Sequence, residues 1–142
     1  MSKRILLSTP HMSGNEMKYI REAFEKNYIA PVGENINQLE DALKQYLQVP
    51  HVVALNSGTA ALHLALINLG VDQGDEVIVS DFTFCASVNP ILYQRAVPIF
   101  IDSEPETWNM DPQLLEMAIR DRLKKGSKPK AVILVHLYGM PA

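Results

Sequence analysis

Two short stretches of this 142-residue chain combine residue types that could hold a reactive small molecule. The first is Asn56-Ser57-Gly58-Thr59-Ala60-Ala61, set between an apolar run and a long apolar stretch of helical composition. At a strand-to-helix turn the first amides lack intrahelical acceptors and the helix dipole adds partial positive charge, so the turn favours an anion such as a phosphate. Gly58 has no Cβ to obstruct the approach, and the Ser57 and Thr59 hydroxyls add donors. The same residues also suit an ordinary serine or threonine cap, and spacing alone leaves both roles open. The second stretch, Asp81-Phe82-Thr83-Phe84, ends the next strand-like run. Ligands of open parallel sheets gather at that carboxyl edge. Phe84 could lie on a planar ring there or pack into the core.

Other chemistries are absent by inspection. The chain has no GxGxxG, no GxxxxGK[ST], no HExxH and no GxSxG. His11, His51, His63 and His136 are far apart, and the single Cys85 cannot build a zinc knuckle, so no metal site is expected. Glu104, Glu106 and Asp111 in SEPETWNMD read as an acidic surface loop before a helix rather than as hydrolytic carboxylates. The KKGSKPK stretch at 124–130 reads as a solvated helix exit, and His63 as a polar position on a buried helix.

The turn and the aromatic need strands and helices to hold them. Ser13-Gly14-Asn15-Glu16 is a capping-box pattern, followed by Met17, Ile20, Ala23 and Phe24 at helical spacing. Pro31 and Gly33 are expected to stop that helix, and Ile36, Leu39, Leu43 and Leu47 mark one face of a second. Residues 52–55 predict a strand, and 60–69 a helix apolar nearly all round, hence buried on most sides. Gly70 and Gly74 flank a turn before a strand over 76–80. A helix over 88–93, entered near Cys85, tolerates Pro90 only in its first turn. A strand over 97–101 follows. Asp111 then caps a helix with Pro112 in its first position and Leu114, Leu115, Ala118, Ile119 and Leu123 along it, before a last strand over 131–135. The strands read as apolar runs (VVAL, VIV, VPIFI, AVILV), so both faces should be covered. Alternation with helices predicts an α/β fold with a mostly parallel sheet and right-handed crossovers.

Length and composition agree with an ordinary globular chain. At about 150 residues per domain, one domain or part of a larger one is expected. The 47% hydrophobic and 20% charged content rules out collagen-like and generally disordered chains. A formal net charge of −3 gives no electrostatic footprint for nucleic acid or an anionic membrane. No apolar run approaches the roughly 20 residues of a membrane span, and the Ile5-Leu6-Leu7 run is too short for a secretory signal. With one cysteine there is no internal disulfide, and a cytoplasmic location is expected.

Taken in order, LSTPHMSGNE, NYIAPVGENINQLE, ALNSGTAALHLAL, GDEVIVSDFTFCASVNPI, AVPIFIDSEPETWNMDP and PKAVILVHLYGMPA resemble the DegT/StrS-type sugar aminotransferases. These are pyridoxal-phosphate enzymes of fold type I, and the likeness runs over 7–142. The PHMSG…NYIAP…G opening is most similar to the UDP-N-acetylbacillosamine-type 4-amino-sugar transaminases of exopolysaccharide and glycan clusters.

The resemblance implies roles for particular positions. Ser57, Gly58, Thr59 and Ala60 match the loop that holds the cofactor phosphate, and Phe84 the aromatic that stacks on the pyridine ring. Asn27, Tyr28, Ile29, Ala30 and Gly58 match positions that meet the nucleotide-sugar; Asn89 and His136 fall near these elements. The implied chemistry passes an amino group, usually from glutamate, through pyridoxal 5'-phosphate to the C4 ketone of a nucleotide-linked 4-keto-6-deoxy sugar, in a homodimer with sites at the subunit interface. A Schiff-base lysine and a carboxylate for the pyridine nitrogen are also implied. None of Lys3, Lys18, Lys26, Lys44, Lys124, Lys125, Lys128 and Lys130 lies in a matching context, so no catalytic residue is assigned and the segment alone should not turn over. On this reading 1–50 form an N-terminal helical arm and 51–142 an incomplete large domain of the parent enzyme. The alternatives are a truncated, non-catalytic product, or a dehydratase on the same scaffold with histidine in place of the lysine. An incomplete large domain would leave a sheet edge and apolar surface open, so the segment is expected to self-associate. A concentration-independent monomer in sedimentation velocity would contradict that.

Overall fold

The computed structural model describes residues 4–6 and 9–142; Lys3 and Leu7, named above, lie outside the described residues. The chain divides into two compact units, Met1–Ala54 and Leu55–Ala142.

The first unit contains α1 (Glu16–Glu25) and α2 (Glu34–Leu47). Half of the expected capping box forms. The Glu16 carboxylate accepts from the Ser13 and Gly14 amides at 2.6 and 2.9 Å, but the cap position is Asn15, without a side-chain bond. Gly14, at φ +92°, turns the chain out of helical geometry between Ser13 and the helix, and the Ser13 hydroxyl accepts from the Asn15 amide at 3.3 Å. Bonds from its own amide and from the Ser13 amide and hydroxyl hold the Glu16 pKa down at about 2.

The end of α1 also differs from expectation. It stops well before Pro31, because Asn27 takes the left-handed conformation at φ +58°. The Asn27 amide donates to Phe24 C=O and the Tyr28 amide to Ala23 C=O, which is a Schellman motif. The same pair of bonds ends three later helices, with Gly70, Arg95 and Gly126 in the left-handed position. Neither α1 nor α2 buries a residue; Leu39, Leu43 and Leu47 are exposed. Residues 52–55, expected as a strand, form no ladder: the Ala54 amide donates instead to the Glu40 carboxylate at 2.8 Å. The apolar run is there, but no neighbouring strand among the described residues takes up its backbone groups.

The second unit has α3 (Gly58–Asn68), β1 (Glu76–Ser80), a 3-10 turn (Cys85–Ser87), α4 (Asn89–Tyr93), β2 (Val97–Ile101), α5 (Pro112–Lys124), β3 (Ala131–Ile133) and a second 3-10 turn (Leu137–Gly139). The sheet is parallel throughout, in the order β2-β1-β3. Ile78 pairs with Ile99 on one side and Val132 on the other. β3 is two residues shorter than expected, since its ladder ends where Ile133 pairs with Val79. Pro90 sits in the first turn of α4, as its missing amide requires. Asp111 caps α5 by accepting from the Gln113 and Leu114 amides at 2.7 and 3.0 Å.

Strand alternation divides the core between the two faces of the sheet. Val77 and Val79 join Leu66, Val71, Ile91, Ala96 and Ile133 in one cluster, with Leu62 and Val88 packed against it. Ile78 turns the other way, onto Ile101 and Met110, with Leu115, Ala118 and Ile119 of α5 against them. Helices therefore cover both faces. The all-round apolar α3 is the exception to expected burial. Leu66 is its one buried residue, and Leu64 and Ile67 stay open because α3 packs mainly against α4 and the first 3-10 turn. Arg122 of α5 pairs with Glu76 at 3.2 Å, and Ser127 donates to the same carboxylate at 2.7 Å, fixing the start of β1. Ile78→Ala should destabilise the fold by about 2–5 kcal/mol, the range for a fully buried branched side chain. Phe100→Ala, on the edge strand with its ring exposed, should cost clearly less in the same urea titration.

Candidate cofactor and substrate site

Ser57 leaves the preceding segment in extended geometry, and its Oγ accepts from the Ala60 amide at 3.1 Å. Its carbonyl accepts from the Ala61 amide at 3.1 Å. The serine is thus a true cap, and this does not compete with anion binding. The cap takes the Ala60 amide, while the Gly58 and Thr59 amides have no acceptor among the described residues. A Cβ placed on Gly58 would meet nothing within 4 Å, so the path to those two amides is open. Of the four positions matched to a phosphate loop, Gly58 and Thr59 keep free backbone donors, Ser57 keeps its hydroxyl proton, and the Ala60 amide is committed to the cap. This donor set fits a phosphate ester.

Phe84 begins the first 3-10 turn, its carbonyl accepting from the Ser87 amide at 2.9 Å. The Thr83 and Ser87 hydroxyls bond across that turn at 2.7 Å. The ring is 77% exposed and belongs to neither core cluster, which removes the alternative of a core aromatic. Because α3 packs on this turn, the phosphate-type cradle and the open aromatic belong to two elements in mutual contact. His63 is packed as expected for a polar position: Gln94 Nε2 bonds its Nε2, and Tyr93 meets it edge-on at 5.4 Å. Asn89 opens α4, half-buried, and His136 Nδ1 accepts from the Ala142 amide at 3.0 Å.

The other matched stretch belongs to the first unit. Asn27 is the left-handed helix terminator, so its backbone role accounts for the residue type by itself. Tyr28 and Ile29 are exposed, and Ala30 bridges to Val32. Gly33, at φ +146°, lies against the Tyr28 side chain: an added Cβ would come 3.0 Å from Tyr28 Cβ. An ion pair between Lys26 and Glu34 closes the loop, and the Gln38 amide group donates to Glu34 at 3.0 Å. The cavity lined by Lys26, Tyr28, Ala30, Gly33, Glu34 and Asn35 measures about 60 Å³, far too small for a sugar.

The acidic loop is structural. Glu104 turns back on its own loop, accepting from the Thr107 hydroxyl and from the Glu106 and Thr107 amides at 2.6 and 2.7 Å. Those bonds, the Thr107 hydroxyl first, hold its carboxyl below the ordinary range. Asp111 is occupied as a cap, so both Glu104 and Asp111 are committed to backbone amides of their own segments. Among the described residues no group of three or more metal-ligating side chains occurs, and no helix is long and apolar enough to cross a membrane. Sequence reading missed Asn109, which is 4% exposed and bonded within the loop leaving β2 and to the segment leaving β3. Its one sequence signal is a polar side chain just before the Met110-Asp111 pair that enters core and cap.

The parallel sheet with helices on both faces is an α/β fold, and solved structures that share it with this chain are aminotransferases. Spr1654 of Streptococcus pneumoniae, named a sugar aminotransferase and solved in its pyridoxal-phosphate form, matches 99% of this chain at a TM-score of 0.79 and 34% identity. That match covers 34% of the streptococcal protein, which was also solved in its pyridoxamine-phosphate form. The chain belongs to the DegT/DnrJ/EryC1/StrS aminotransferase family, whose profile matches residues 10–142. It is 54% identical over all 142 residues to EpsN of Bacillus subtilis, a protein named for pyridoxal-phosphate-dependent aminotransferase activity, and covers 37% of it. It is 42% identical to the GDP-perosamine synthase of Caulobacter vibrioides, over 96% of this chain and 35% of that protein. The chain thus spans little more than a third of the length of these curated relatives. Gly33→Ala should destabilise the first unit by about 1–3 kcal/mol, because it forces a side chain into left-handed backbone against Tyr28; thermal denaturation checks this.

Proposed function

We propose that this chain supplies the phosphate cradle and stacking aromatic of a pyridoxal-phosphate-dependent enzyme. The enzyme transfers an amino group, from glutamate, to a nucleotide-linked 4-keto-6-deoxy sugar for polysaccharide or glycan synthesis. The observation that carries this reading is the pair of unclaimed Gly58 and Thr59 amides opening α3, with Phe84 open on the turn packed against that helix. Pyridoxal phosphate, when bound, supplies the electron sink for amino transfer.

The chain's own residues then have distinct tasks. The Gly58 and Thr59 amides, the Thr59 and Ser57 hydroxyls and the dipole of α3 hold the phosphate dianion. Ser57 keeps those amides presented by tying down the next one, at Ala60. Phe84 fixes the plane of the pyridine ring by stacking. The match of Asn27, Tyr28, Ile29 and Ala30 in the first unit, and of Gly58 in the second, to the family's nucleotide-sugar positions assigns each of them a substrate contact in the parent enzyme. No lysine here matches the family's Schiff-base position. We assign that amine, and the carboxylate partner of the pyridine nitrogen, to the part of the family's length that these residues do not span. The 142 residues alone are then inactive, with 1–50 as a helical arm and 51–142 as part of the large domain. The parent enzyme is a cytoplasmic homodimer with sites between its subunits. The kinship with a GDP-perosamine synthase supports a sugar nucleotide as acceptor.

In the full-length protein, Thr59→Ala should weaken pyridoxal-phosphate retention roughly tenfold or more, the scale of a lost bond to a charged group. Phe84→Ala should weaken it by about 0.5–1.5 kcal/mol. Equilibrium dialysis with absorbance detection measures both. A wild-type protein that retains no pyridoxal phosphate, or a Thr59→Ala variant that retains it fully, would overturn the reading.

A further inference from the structure

Two aromatic residues at the carboxyl edge of the sheet sit on backbone that bulky side chains rarely adopt. Trp108, in the loop leaving β2, has φ +63°, and Tyr138, in the segment leaving β3, has φ +50°. Both rings are open to solvent, at 59% and 78% exposure. With Phe82, whose ring lies 5.7 Å from Trp108, they line a cavity of about 590 Å³, together with Thr107, Leu137 and Met140. Strained backbone of this kind persists only where the surroundings over-determine it.

The surroundings converge on one buried side chain between the two loops. The Asn109 carboxamide donates to Thr107 Oγ1 at 3.0 Å, to Met140 C=O at 3.2 Å and to Pro141 C=O at 3.3 Å. Its Oδ1 accepts from the Leu137 amide at 3.0 Å. Asn109 directly follows Trp108 in sequence, and its bonds to Leu137 and Met140 bracket Tyr138. Thr107 extends the network by donating to Glu104, which accepts the amides of its own loop. We propose that Asn109 is the positioning residue of this edge. One buried carboxamide locks the loop leaving β2 to the segment leaving β3, and so holds Trp108 and Tyr138 on an open aromatic groove at the sheet edge. Only a group with both donors and an acceptor satisfies the set. Leucine would strand two carbonyls and an amide, and a carboxylate would face two carbonyl oxygens. This role stands whether or not the edge holds pyridoxal phosphate.

Trp108 is the single tryptophan of the chain, so its emission reports the edge directly. In the 142-residue chain, Asn109→Leu should shift Trp108 emission and raise its quenching by acrylamide. Asn109→Asp, nearly isosteric, should match that change at neutral pH. It should revert as pH falls, because the carbonyls of Met140 and Pro141 disfavour the charged acid while its protonated form can donate to one of them. Asp102, Glu104, Glu106 and Asp111 on the loop leaving β2, and His136 and Tyr138 on the segment leaving β3, are the titratable groups of the two facing segments. The same groups are present in the wild type, whose emission serves as the control. If Asn109→Leu does not fold, the pH reversal of Asn109→Asp decides alone. Unchanged emission in a folded Asn109→Leu, or an Asn109→Asp profile parallel to wild type across pH 7 to 4, would overturn the proposal. Loss of pyridoxal-phosphate binding by the wild-type enzyme would bear on the preceding reading and leave these outcomes intact.

Discussion

Strand β1 is closed on both faces, and the rest of the second unit is arranged by that constraint. Val77 and Val79 must meet α3 and α4 on one side while Ile78 meets the α5 layer on the other. A strand buried this way cannot slip by one residue, because the slip would exchange its two faces wholesale. Parallel neighbours on both edges take its remaining backbone groups. The register of β2 and β3 then follows, and with it the points at which three loops leave the carboxyl edge. Phe82 and Phe84, the loop holding Trp108 and Asn109, and the segment from His136 onward are all consequences of where that ladder stops.

The start of α3 shows how one sequence feature serves two roles that draw on the same short run of amides. A serine cap and an anion cradle both use the first amides of a helix, yet here they use different ones: Ala60 for the cap, Gly58 and Thr59 for a ligand. The cap removes one amide from the available donors and in exchange immobilises the two that remain. Asn27 is the opposite case. Its left-handed backbone terminates α1 in the same way that glycine terminates α3 and α5, so its residue type alone says little about a ligand.

Where local chemistry decides structure, the sequence was readable. The strands over 76–80 and 97–101, the first-turn placement of Pro90 and the Asp111 cap were legible because each depends on neighbours within a few residues. The family and the α/β class were legible from the collinear motifs. The apolar run over 52–55 looked like a strand, but a run cannot reveal whether a partner strand lies beside it. Likewise the composition of α3 announced a buried helix without saying which elements bury it. Pro31 and Gly33 drew attention as helix breakers although Asn27, a less conspicuous residue, does the work. Asn109 was invisible for the same reason at longer range: its partners at Leu137, Met140 and Pro141 lie 28, 31 and 32 residues away. Its importance is wholly tertiary.

The exposed aromatics at the sheet edge are of two kinds, and the backbone separates them. Phe84 stands on relaxed extended geometry, φ −68° and ψ 139°, at the head of a turn that closes its own hydrogen bonds. Nothing else in the unit is needed to present that ring, which suits a residue whose task is to offer a flat face. Trp108 and Tyr138 stand on left-handed backbone and would relax if released. Asn109, a buried side chain bonded to both of their loops, ties the two together. A fold that needed these rings only as spare apolar surface would have no cause to hold them in strained geometry, so the tie and the strain together mark the cavity wall as a built feature of the edge.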